Sequence, residues 1–96
     1  MNLEKLLAEQ RDQIITIAEL HGAKEVRVFG SVARGEATQT SDLDLLVEMA
    51  EDRSLLDLVA IKQDLEDFLG CRVHVVTEAA VSPYLREKVM REAIYL

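Results

Sequence analysis

Two aspartates stand two residues apart in Thr40-Ser41-Asp42-Leu43-Asp44-Leu45-Leu46-Val47, where the apolar run predicts a strand over residues 43–48. Strand side chains alternate between faces, so Asp42 and Asp44 share one face with Leu46 and Glu48. Leu43, Leu45 and Val47 take the other. The two carboxylates therefore lie side by side, about 6–7 Å apart at the backbone. Like charges this close repel, and the pair is costly unless a cation sits between them. Mg²⁺ or Mn²⁺ suits such oxygen donors, since these ions bind through one or two carboxylates plus substrate phosphates. Taken alone, an Asp-x-Asp at the start of a strand also arises as a solvated turn.

The preceding loop bears on that choice. Gly30-Ser31 follows directly on Val26-Arg27-Val28-Phe29, an alternating β-branched run predicted as a strand over residues 26–29. Residues 30–41 hold two Gly, several Ser and Thr and little apolar content, a loop with one helical turn at 32–34. Backbone N–H groups at a strand-to-helix junction, with a Ser hydroxyl beside them, can cradle a phosphate. Gly30 lets a ligand come close to the backbone. An isolated Gly-Ser is equally an ordinary turn. Gly30-Ser31 followed after ten residues by Asp42-Leu43-Asp44 is far more specific. Four fixed residue types at this spacing arise by chance in roughly one chain of this size per thousand. Arg34, one helical turn from Ser31, can reach a phosphate or pair with Glu36.

The remaining elements must hold these residues in place. Leu3, Leu6, Leu7, Ile14, Ile15 and Ala18 recur at helical spacing, and Gly22 follows, predicting a helix over residues 2–21. Ser54 with Asp57 forms a capping box and opens a helix that Gly70 closes. Its expected apolar face is Leu55, Leu58, Val59, Leu65, Phe68 and Leu69. Residues 72–77, Arg-Val-His-Val-Val-Thr, predict a third strand. Ser82 caps a last helix with Pro83 at its first position, where a missing N–H costs nothing. The expected architecture is a small α/β domain spanning 1–96, with a three-stranded sheet.

Composition limits the function classes. The 96 residues are 49% hydrophobic and 30% charged, which excludes a disordered or low-complexity chain. Aromatics are only 4%, so Leu, Val, Ile and Ala must build the core. A net charge of −7 disfavours direct nucleic-acid or anionic-membrane binding and suits a basic protein partner. No apolar run reaches the roughly 18 residues a membrane span needs, and the polar N-terminus lacks a signal-peptide core. The single Cys71 excludes an internal disulfide and, with these features, predicts a cytoplasmic protein. Among weaker candidates, His21 reads as a cap on the helix dipole and Cys71 as structural. Glu48 shares the face of the aspartates but lies about 13 Å along the strand from Asp44.

Phe29-Gly30-Ser31-Val32-Ala33-Arg34-Gly35-Glu36 and the Asp42–Asp44 segment resemble the minimal nucleotidyltransferases of the DNA polymerase beta-like superfamily. The resemblance extends over nearly the whole chain, including the ending Pro83-Tyr84-Leu85-Arg86-Glu87. It implies a mixed sheet with helices packed mainly on one face and an open active face, and ATP as substrate with Mg²⁺ or Mn²⁺. Gly30, Ser31 and Arg34 would bind the nucleotide, and Asp42 and Asp44 would hold the metal. It also implies a HEPN-domain partner, a toxin that some members silence by transferring AMP to a Tyr hydroxyl. Aminoglycoside-modifying relatives carry an added helical domain for their acceptor. Here the acceptor site is expected from another chain or a second copy, as in a homo-oligomer.

One position departs from the family pattern. The resemblance places a third carboxylate in the next strand, and this chain has His74 there, on one face with Arg72 and Val76. Imidazole with a pKa near 6.5 can take a proton from an attacking hydroxyl. Mg²⁺ prefers oxygen, so the same substitution can instead weaken the enzyme. Two functions follow: an antitoxin that transfers AMP to its partner, or a chain of the same fold that neutralises the partner by contact alone.

Overall fold

The computed structural model describes residues 3–38 and 40–96. Two helices, α1 (Leu3–Glu9) and α2 (Arg11–Leu20), precede strand β1 (Ala23–Phe29). A one-turn helix α3 (Gly30–Ala33) leads through a loop into β2 (Leu43–Met49). Helix α4 (Leu55–Leu69), strand β3 (Val73–Val76) and a 3₁₀ turn (Glu78–Ala80) follow. Helix α5 (Pro83–Glu92) and a two-residue strand β4 (Ile94–Tyr95) end the chain.

The predicted helix over 2–21 is two helices; Asn2 lies outside the described residues. The apolar stripe explains the break. Gln10 and Arg11 stand where it would continue after Leu7, and Gln10 leaves helical geometry with ψ 14. Hydrogen bonds still bridge the turn, Gln10 N–H to Leu6 and Ile14 N–H to Gln10. Leu3 and Ile14 both reach the core.

The sheet has four strands in the order β3-β2-β1-β4, which corrects the expected three. β1 and β2 are antiparallel, β2 and β3 parallel, and β4 adds antiparallel to the free edge of β1. Only Ile94 and Tyr95 form β4, too short a run to carry a periodic signal. β1 starts at Ala23, three residues earlier than predicted. A register shift between Ala23 and Glu25, with exposed Lys24 and Glu25, hides the alternation there. The helical turn starts at Gly30 rather than at 32.

Val26, Val28, Leu43, Leu45, Val47 and Val73 project from one sheet face onto Ile14, Ala18, Ile61 and Leu65 of α2 and α4. The capping box at Ser54 is formed as read. The Ser54 N–H donates to Asp57 Oδ2 at 2.9 Å, and the Ser54 side chain accepts from Leu56 N–H. The buried stripe of α4, however, is Ile61, Leu65 and Leu69, with Leu58 half-buried. Leu55, Val59 and Phe68 are exposed, contrary to the expected face. A stripe centred on Ile61 and Leu65 turns Leu55 and Val59 to its flank and leaves Phe68 at its margin. Ser82 caps α5 as expected, its hydroxyl accepting from Tyr84 N–H at 3.3 Å. No helix among the described residues is long and apolar enough to cross a membrane.

Candidate active site

β1 runs straight into α3 while β2 returns antiparallel beside it, so the end of one meets the start of the other. Phe29 pairs with Asp44, which sets Gly30 against the Asp44 side chain. A β-carbon on Gly30 would stand 3.1 Å from Cγ of Asp44 and closer still to a carboxylate oxygen. Gly30 also has φ +74, in the left-handed region that costs any other residue energy. Glycine is required here both by the backbone and by the room available.

The parallel register of β2 and β3 places His74 opposite Asp44. His74 Nε2 lies 2.8 Å from Asp42 Oδ2, and Arg72 Nε lies 4.0 Å from Asp42 Oδ1. Asp42, Asp44 and His74 are therefore gathered at one end of the sheet, on the face opposite the core. Burial pushes the Asp44 carboxyl above its ordinary pKa, and the neighbouring His74 charge opposes this. Asp42 and Glu92 add to the rise, and Arg34 works against it. An acid pressed toward its neutral form beside a second acid is short of positive charge. Carboxylate oxygens in this arrangement fit a hard divalent cation. Among the described residues, no three His, Cys, Asp or Glu side chains converge to enclose a metal unaided. A cation there would complete its shell from water and substrate.

Arg34, just past α3, is turned back toward the same corner. Its Nε lies 3.1 Å from Glu36 Oε2, and its Nη1 lies 3.1 and 3.2 Å from the two carboxylate oxygens of Glu92. The Gly30 N–H donates to Glu92 Oε1 at 2.9 Å. Ser31 is half-buried in the first turn of α3. Sequence reasoning missed Glu92 altogether. An acid at the end of a charged helix, in Lys88-Val89-Met90-Arg91-Glu92, carries no signal that separates it from a solvated face.

On the same sheet face, a groove of about 590 Å³ lies between the strands and the segment from the 3₁₀ turn to α5. Its lining includes Arg27, Leu46, Glu78, Arg86 and Met90. Leu46 follows Asp44 on that face, yet is only 4% exposed. Arg86 Nε is buried there without a hydrogen-bond partner. The other candidates lie away from the two aspartates, although Glu48 also lines this groove. Glu48 is 3.6 Å from Lys24, His21 caps α2 and meets Asp64 at 2.6 Å, and half-buried Cys71 follows α4.

A mixed sheet in which a Gly-Ser turn closes on an Asp-x-Asp strand is the architecture of a small nucleotidyltransferase. The chain belongs to the nucleotidyltransferase domain family, whose model matches residues 11–96. It is 45% identical over 86 residues to a Methanocaldococcus jannaschii protein provisionally named protein adenylyltransferase MJ0435, covering 90% of this chain and 92% of that one. It is 36% identical to the protein adenylyltransferase MntA of Thermococcus cleftensis, over 95% of this chain and 97% of that one. Among solved structures, one described provisionally as a minimal nucleotidyltransferase is 53% identical and superposes with a TM-score of 0.87, covering 100% and 97% of the two chains. A toxin–antitoxin structure with AMP-PNP shares the fold, with a TM-score of 0.75 at 22% identity over 88% of this chain and 69% of that one.

Proposed function

We propose that this chain is a Mg²⁺-dependent nucleotidyltransferase that moves AMP from ATP to a hydroxyl on a protein partner, and that it acts as the antitoxin of a HEPN-domain toxin in the cytoplasm. The observation that carries the reading is the placement of Asp42 and Asp44 beside the Gly30–Arg34 turn, on the face away from the core. The names borne by the relatives above support a protein as the acceptor.

In this reading Gly30, Ser31 and Arg34 receive the triphosphate. The Gly30 N–H and the Arg34 guanidinium are the donors, and the absent side chain of Gly30 lets phosphate and carboxylates approach one another. Asp42 and Asp44 hold the cation, which when bound neutralises charge on the phosphates. The acceptor oxygen attacks the α-phosphorus in line, an O–P bond forms, and the bond to the pyrophosphate leaving group breaks. The acceptor proton passes to a base, a role this reading gives to His74. The groove along Leu46 gives the acceptor chain room to lie against the active face.

A second reading rests on a specific observation. His74 stands at the position of the expected third acid and is bound to Asp42. A site so altered supports neutralisation of the partner by contact alone.

Nucleotide binding is tested by thermal unfolding with ATP and Mg²⁺. Binding to the folded state raises the melting temperature by mass action. The rise is expected to vanish with EDTA and in the Asp42→Asn, Asp44→Asn double variant. An unchanged transition at millimolar ATP and Mg²⁺ would remove the nucleotide from the account.

A further inference from the structure

The Glu92 carboxylate is bound the way a ligand anion would be. Its Oε1 accepts the Gly30 N–H at 2.9 Å and lies 3.1 Å from Arg34 Nη1, which is 3.2 Å from Oε2. The side chain is only 16% exposed although it is charged and ends a surface helix. It reaches this corner from the far end of the chain, 62 residues beyond Gly30. These two donors are the ones a nucleotide phosphate requires in the reading above.

We propose that Glu92 is a built-in competitor for the nucleotide: its carboxylate occupies the phosphate position, and a bound triphosphate must displace it. The inference rests on the assignment of that corner to phosphate. Its physical basis is the donor count. One N–H serves one strong acceptor, and the Arg34 Nη1 shared between both Glu92 oxygens, with Nε already held by Glu36, does not face a phosphate at the same time. Retaining both anions would also place like charges in contact, next to Asp44, whose carboxyl already feels Glu92. The free protein thus keeps its phosphate site closed by its own side chain. Apparent nucleotide affinity is reduced by the fraction of molecules in which Glu92 is in place.

Glu92 is the last residue of α5, and Ala93 leads directly into β4. The side chain leaves by rotating outward at this junction, with no element of the core having to move.

The test compares wild type with Glu92→Gln and Glu92→Ala. The first keeps shape and removes charge, and the second removes the group. Binding of AMP-PNP with Mg²⁺ is measured by calorimetry, and exchange of the Gly30 amide proton is followed by NMR without nucleotide. Glu92→Gln is expected to bind AMP-PNP about tenfold more tightly than wild type. Glu92→Ala is expected to exchange its Gly30 amide faster. Equal or weaker nucleotide binding in variants that still unfold cooperatively overturns the proposal and makes Glu92 a positioning residue for Arg34. Unchanged Gly30 exchange overturns it as well, because the contact itself would be missing. If the amide responds to Glu92 but neither wild type nor variant binds AMP-PNP, the phosphate assignment fails. The competitor role falls with it, and the contact is structural.

Discussion

His74 Nε2 lies 2.8 Å from Asp42 Oδ2, so the residue standing in place of the expected third carboxylate is bound to the first of the two that remain. The contact has two consequences. It holds the imidazole at the edge of the site, on the β3 side. It also engages one oxygen of a proposed metal ligand, so a cation must share or displace the imidazole.

The first prediction concerns this pair. His74→Asp replaces nitrogen by the oxygen donor Mg²⁺ prefers, and is expected to be the fastest of three forms in Mg²⁺-dependent AMP transfer. His74→Ala separates the remaining roles. Loss of about 10²–10⁴-fold identifies His74 as the general base. The measurement is transfer rate against pH for wild type and both variants. Equal rates in all three would place position 74 outside the chemistry.

Burial raises the Asp44 carboxyl pKa, and this makes a stability prediction with a definite sign. An acid whose folded pKa exceeds its unfolded value favours folding only while protonated. That stability is present below the unfolded pKa and is lost as pH rises through the folded one. At neutral pH the charged Asp44 therefore weakens the fold. Asp44→Asn is expected to raise the melting temperature at pH 7 while abolishing transfer. The gain should shrink as pH falls below the ordinary carboxylate range. A melting temperature lowered by the substitution at pH 7 would contradict this.

Two glycines with nearly the same φ differ in what surrounds them. Gly30 has φ +74 and Gly70 has φ +69. A β-carbon at Gly70 meets nothing within 4 Å, whereas at Gly30 it meets Asp44. Gly70→Ala should cost about 1 kcal/mol, the backbone strain alone. Gly30→Ala should cost more, because the Asp44 carboxylate must also move, and it should weaken nucleotide binding where Gly70→Ala does not. Chemical denaturation of both variants measures the difference, and equal costs would deny the close approach at Gly30.

Helix α4 provides a check on the core. Ile61 is 0% exposed and Val59 is 55% exposed. Ile61→Ala is expected to cost about 2–5 kcal/mol, and Val59→Ala to change stability by less than about 0.5 kcal/mol. Similar costs for both would mean that the helix is rotated from the orientation described.

Much of the site could be read from the chain because its geometry follows from local rules. Alternation alone puts Asp42 and Asp44 on one face, the parallel pairing of β2 and β3 brings His74 beside them, and the ten-residue spacing brings Gly30 to them once β1 and β2 pair. The capping signals at Ser54 and Ser82 are likewise local, and both are formed. What could not be read depends on the rest of the fold. β4 exists only because the edge of β1 offers it partners, and Glu92 acquires its role only when α5 is laid across α3. The seated face of α4 is not legible in the sequence, because Leu55, Val59 and Phe68 are as apolar as the residues that are buried. Only the seating of the helix on the sheet distinguishes them.

Transfer of AMP to a protein is read most plainly from the mass of the partner. The proposed HEPN-domain partner, purified together with this chain, is incubated with ATP and Mg²⁺, and its intact mass is determined. The account predicts a gain of one or more AMP units, lost with EDTA and with the Asp42→Asn, Asp44→Asn double variant. A partner that keeps its original mass under these conditions, while still being neutralised by this chain, would contradict transfer and leave neutralisation by contact in its place.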